Sequence, residues 1–154
     1  MRVSLLAVGR PRQSGLIEAI RDYENRAARY WPLDVIEVKE EPARGATVEH
    51  VRSREAERLL ERLPPEARVI VCDPGGDALE SDSFAQWLSD LRDRAQSVAF
   101  VIGGAFGLGD VVRSRAARRL ALAPWTLPHE LARLVFVEQL YRAGTIIRGE
   151  PYHK

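Results

Sequence analysis

Short, almost continuous apolar runs alternate along this chain with longer stretches in which apolar residues recur at helical spacing, and that alternation leaves few architectures open. Val3–Val8, Leu33–Val38, Arg68–Cys72 and Val98–Ile102 read as strands buried on both faces, and a fifth is expected near Leu120–Ala123. Helical periods lie between them. From Gly15 to about Tyr30, Leu16, Ile17, Ile20, Tyr23 and Ala27 share one face. Thr47 has the side chain to N-cap a charged helix running to Leu63, which Pro64-Pro65 stops. Ser81 or Ser83 begins a helix through Phe84, Trp87, Leu88 and Leu91, and a short helix follows from Asp110. Thr126 and Pro128 open a long last helix to about Ala143, with Gly144 just past its end as the expected stop. The reading is an α/β fold, a mainly parallel sheet with helices on both faces. Ligands of such sheets sit beyond the carboxyl ends of the strands.

The 154 residues, 45% of them hydrophobic and 29% charged, suit a single domain over residues 1–154, without a compositional break or internal repeat. The apolar runs are too short to span a bilayer, so no membrane partner is expected. The apolar start after Arg2 lacks a cleavage site of small residues and reads as the first strand rather than a signal peptide. Cys72 is the sole cysteine, which excludes an internal disulfide, and with three histidines beside it no metal site is expected. The cytoplasm is the expected location. The net charge is only +1, yet residues 111–154 carry eight Lys/Arg against three Asp/Glu. A basic C-terminal third on an acidic body is what a phosphate-facing surface produces, or what uneven statistics on a solvated surface produce.

Three segments carry residues that chemistry could use. Gly103-Gly104-Ala105-Phe106-Gly107-Leu108-Gly109 follows a buried strand. Its glycines permit close backbone approach to a ligand, or simply a tight turn. The spacing is neither that of a dinucleotide fingerprint nor that of a phosphate loop ending in Lys-Ser/Thr. Leu122-Ala123-Pro124-Trp125-Thr126-Leu127-Pro128 is a stiff, largely apolar loop with free backbone donors and acceptors, suited to an adenine ring. His129 then falls in the first turn of the last helix, in a capping, packing or chemical role. The chain ends on Tyr152-His153-Lys154, an unusual concentration of reactive side chains for a terminus, with Tyr141-Arg142-Ala143 a few residues before.

Val101-Ile102-Gly103-Gly104 with Gly107-Leu108, Thr126-Leu127-Pro128-His129 followed by Arg133 and Glu138-Gln139-Leu140-Tyr141-Arg142-Ala143, and the ending Pro151-Tyr152-His153-Lys154 resemble the ribosomal RNA large subunit methyltransferase H family of the knotted SPOUT class. The resemblance spans the whole chain, including Leu6-Ala7-Val8-Gly9. It implies a C-terminal deep trefoil knot, an exception to the rule that chains do not thread. It implies S-adenosylmethionine as methyl donor, contacted at the positions of Cys72, Gly103, Leu122, Ala123, Pro124, Trp125, Thr126 and Leu127. It implies a homodimer in which the tail of one subunit completes the other's site. The substrate implied is N3 of a pseudouridine in 23S rRNA within the assembled ribosome.

An imide nitrogen must lose its proton to attack a methyl group, so the candidate catalytic residues are His153 and His129 as proton acceptors, Arg142 against charge on the ring carbonyls, and Tyr152 to stack on or hydrogen-bond the base. No metal is needed for attack on a cationic electrophile. Two positions depart from the family pattern: Gly76-Asp77 stands where a basic residue is expected, and Trp125 is bulky for its loop. The alternatives are a SPOUT methyltransferase of another RNA such as tRNA, or a ribosome-binding protein without activity. An exposed apolar face on the last helix, Leu134, Val135, Val137 and Leu140, is expected to serve the dimer.

Overall fold

The computed structural model describes residues 1–153, with His153 described by its backbone alone. Strands β1 (Val3–Val8), β2 (Leu33–Val38), β3 (Arg68–Ala78), β4 (Val98–Ile102) and β5 (Arg118–Ala121) alternate with helices α1 (Ser14–Ala27), α2 (Val48–Arg62), α3 (Ser81–Asp93), α4 (Asp110–Arg115) and α5 (His129–Ile147). A 3₁₀ turn at Pro151–His153 follows. The strands form one sheet in the order β2-β1-β4-β3-β5, every pair parallel. The α/β reading therefore holds, with helices on both faces.

Strand parity explains the layers. Val3 and Leu5 of β1, Ile70 of β3 and Val98, Phe100 and Ile102 of β4 point into a core closed by α1, α3 and α5. The intervening Leu6, Val8, Val69, Val71, Ala99 and Val101 point the other way, into a core closed by α2 and α4. At roughly 25 cal/mol per Å² of apolar surface, strands buried twice over dominate the stability of such a sheet.

Helix α5 is the spine of the larger layer. Its buried Arg133 donates at 2.8 Å both to Glu24 of α1 and to Glu37 of β2. Its buried Glu130 accepts the backbone N–H groups of Arg12 and Gln13 at 2.9 and 3.0 Å, pinning the β1–α1 connection beside the first turn of α5. Trp31 donates from Nε1 to the Leu140 carbonyl at 2.9 Å.

Four sequence expectations change. Gly144 does not end the last helix. It lies buried within it against Tyr30, and the helix ends at Ile147, capped by Gly149 (φ +67°), where Glu150 N–H donates to Thr145 and Gly149 N–H to Ile146. That is the Schellman pattern of a left-handed C′ residue. Strand β5 lies two residues earlier than expected, which frees Leu122 and Ala123 for the following loop. Strand β3 does not finish at Cys72. Asp73 to Gly76 bulge out, and both Cys72 and Asp77 pair with Leu120. Gly76 permits this return, since a Cβ there would lie 2.6 Å from the Arg119 carbonyl carbon. Finally, Val137 and Leu140 are fully buried in the core, so the exposed apolar face expected on α5 shrinks to the half-buried Leu134 and Val135. Thr47 Oγ1 accepts the His50 N–H at 3.1 Å as the expected α2 cap, and in a further, smaller change α1 stops at Ala27 rather than near Tyr30.

Candidate active site

The carboxyl ends of β3, β4 and β5 open onto a cleft of about 870 Å³. Its first wall is the turn after β4. Gly107 N–H donates to the Gly104 carbonyl at 3.0 Å, and Gly107 takes φ +78°, a region a side chain disfavours. A Cβ on Gly103 would lie 2.8 Å from the Gly107 carbonyl carbon, and one on Gly104 2.8 Å from Glu55 Oε2. The segment is thus a tight turn and a wall of the cleft at once: its glycines let the turn close without side chains, and its backbone fronts the cavity.

The second wall is the loop between β5 and α5. Leu122, Ala123, Trp125, Thr126, Leu127 and His129 line the cleft with Cys72 and Gly103. Pro124, expected among the donor contacts, is exposed and does not line it. Trp125 leaves three-quarters of its surface exposed at the rim (75%). Burial pushes the Cys72 thiol up to about 12, so Cys72 contributes a neutral surface rather than a nucleophile.

Side chains that sequence reading missed complete the lining. Asp73, just beyond Cys72, accepts from Arg113 Nε at 2.6 Å and from Gly75 N–H at 2.8 Å. Burial alone would raise its carboxyl. The Gly75 hydrogen bond and the Arg113 guanidinium outweigh burial and hold it below the ordinary value. Arg52 of α2 donates from Nε to the Phe106 carbonyl at 2.6 Å, bracing the glycine turn. Asp73 belongs to Cys72-Asp73-Pro74-Gly75-Gly76, a strong turn signal at an expected strand end where ligands of such sheets sit; Arg52 and Arg113 reach the cleft from helices whose own sequence carries no motif.

Arg142 and Tyr152 are elsewhere. Arg142 pairs with Glu138 at 2.8 Å and lies 5.1 Å from the centre of the Tyr152 ring. The Tyr152 hydroxyl donates to Glu138 at 3.0 Å and shares a contact of the same length with the Tyr23 hydroxyl. Burial first, then those two partners, push the Tyr152 phenol well above its ordinary pKa, so it stays protonated. At 1.5 Å per residue, Arg142 lies about 20 Å along α5 from His129. Within one chain the candidates fall into two groups: His129 at the cleft, Arg142 and Tyr152 at the far end of the helix. The side chain of His153 lies outside the described residues. Asp77, which replaces the expected base, pairs with Arg118 at 3.2 Å.

A family model described as predicted SPOUT methyltransferase matches residues 1–153. The chain is 69% identical over 154 residues, all of both chains, to the ribosomal RNA large subunit methyltransferase H of Gemmatimonas aurantiaca. It is 45% identical to the protein of that name from Anaeromyxobacter sp. strain K, again over all of both chains, and 42% identical to that of Geobacter metallireducens over 99% of each. A solved crystal structure described as a hypothetical protein superposes with a TM-score of 0.54 at 17% identity, covering 95% of this chain and 81% of the other, a likeness of fold alone.

Proposed function

The chain belongs to the SPOUT methyltransferase family, and from that premise we propose that it methylates N3 of a pseudouridine in 23S rRNA of the assembled ribosome, using S-adenosylmethionine, as a cytoplasmic homodimer of one SPOUT domain over residues 1–154 with a C-terminal trefoil knot. The observation that carries the donor assignment is the cleft itself: an apolar loop faces a glycine turn with no room for a Cβ at Gly103. An adenine ring needs apolar contact on its faces and backbone hydrogen bonds at its edge, and Leu122, Ala123, Trp125, Thr126 and Leu127 with Gly103 and Cys72 offer both. When bound, the donor supplies an electrophilic methyl group on a cationic sulfur.

The protein's own part is alignment and proton management. The imide proton must leave as the new N–C bond forms, and His129 or His153 accepts it. Tyr152 remains a phenol and so serves as a stacking or hydrogen-bonding group, never as the base. Arg142 is already ordered by Glu138 and offsets negative charge growing on the ring carbonyls. The distance of about 20 Å along α5 between His129 and Arg142 favours a site assembled from the cleft of one subunit and the tail of another.

The test is methyl transfer with labelled donor to purified ribosomes, free ribosomal RNA and tRNA, followed by mapping of the modified base. Label at a single pseudouridine of 23S rRNA is expected. Label in tRNA alone would overturn the substrate assignment.

A further inference from the structure

We propose that Arg52 recognises the carboxylate at the amino-acid end of the methyl donor, a reading that rests on the cleft being the donor's site. Arg52 stands in the cleft wall on α2. Its Nε is committed to the Phe106 carbonyl at 2.6 Å, which fixes the plane of the guanidinium, and among the described residues neither terminal nitrogen has a partner.

The surrounding guanidinium groups are occupied. Arg54 pairs with Glu57, Arg58 with Glu41, and Arg113 with Asp73 and Asp110. Among the described residues no carboxylate pairs with Arg52. Asp73, the one acid lining the cleft among the described residues, is already neutralised by Arg113. A half-buried, oriented and uncompensated guanidinium in a concave site favours a planar anion, which its fork binds through two parallel hydrogen bonds. The cleft is otherwise chemically divided. Leu122, Ala123 and Leu127 make one wall apolar, while Arg52 of α2, with the Asp73–Arg113 pair of β3 and α4, brings charge to the lining. The donor is divided in the same way, with a nucleoside at one end and a charged amino acid at the other.

The experiment is calorimetric titration of the full-length wild type, Arg52→Met and Arg52→Lys with S-adenosylmethionine and with its decarboxylated analogue. Charge-assisted hydrogen bonds of this kind correspond to about a 10- to 100-fold change in Kd. Arg52→Met is expected to weaken S-adenosylmethionine by that factor more than it weakens the decarboxylated analogue, which feels only the loss of the Phe106 brace. Arg52→Lys, which keeps the charge and loses the fork, is expected to fall between. Equal weakening of both ligands would make Arg52 only a brace for the glycine turn and overturn the proposal. So would unchanged donor binding together with a shallower salt dependence of ribosome binding, which would assign the guanidinium to an RNA phosphate. Absence of heat with either ligand in the wild type would instead remove the donor reading beneath it.

Discussion

Glu55 is buried, with Oε1 accepting the Glu41 N–H at 3.1 Å and Oε2 without a partner among the described residues. Oε2 lies against Gly104, at the back of the turn that walls the cleft. Burial is the main reason its carboxyl is raised above the ordinary value, the Glu41 hydrogen bond opposing this only in part. The folded protein therefore keeps this proton to higher pH than the unfolded chain does. Stability is lost as pH climbs from the ordinary glutamate range through the folded value, and the loss persists above it. Glu55→Gln should remove that slope. Thermal melts should show the variant gaining on the wild type over the interval that begins at the ordinary glutamate value of 4.5. A wild type that gains on the variant over that interval would mean the ionised carboxylate is stabilised by something other than the Glu41 N–H. Nothing in the sequence singled Glu55 out from the other acids of its charged helix. Its burial follows from facing Gly104, about fifty residues downstream, and a contact of that range leaves no local pattern.

Among the elements, α5 joins the cleft at its first turn to the Arg142–Glu138–Tyr152 cluster near its last, and its packing on the turn after α1 depends on Gly144. Glycine inside a helix usually weakens it by about 0.5–1 kcal/mol relative to alanine. Here a Cβ would stand 2.3 Å from Tyr30 Cγ and 2.6 Å from Tyr30 Cβ, close to the backbone where the ring cannot swing clear. Tyr30 is also held by Glu150 through its hydroxyl and by the edge of Tyr141 at 5.7 Å. Gly144→Ala should therefore destabilise by about 2 kcal/mol, as overpacking does, against the propensity trend. Urea denaturation measures it, and a stabilised variant would mean Tyr30 is looser than its contacts suggest. Reading Gly144 as a helix stop failed for the same reason: a glycine kept for close approach looks in sequence like one kept for its left-handed conformation. The doubly buried strands were legible because β1 and β4 are apolar on both faces. The short edge strand β5 begins Arg118-Arg119, so its start was misjudged, and the return of β3 past a strong turn signal depends on Gly76 meeting the Arg119 backbone. Of the site, the two loops that follow strands were readable because their glycines and prolines cluster within a few residues of one another. Arg52, Asp73 and Arg113 meet only through the fold.

At the scale of the whole molecule, the central claim is that cleft and tail act across a dimer. Arg142→Ala alone should lower kcat by about 100-fold, as loss of an oriented charge-stabilising donor does, with donor binding unchanged. Gly103→Ala should abolish donor binding, because its Cβ would drive into the Gly107 backbone. The decisive measurement combines them: the two variants, differently tagged, are co-expressed, the mixed dimer is isolated by both tags, and methyl transfer to ribosomes is measured. A site shared between subunits leaves one cleft intact beside one intact tail, so the mixed dimer should recover about half the wild-type rate. A mixed dimer as inactive as its two parents would mean that each tail serves its own cleft, and would contradict the account.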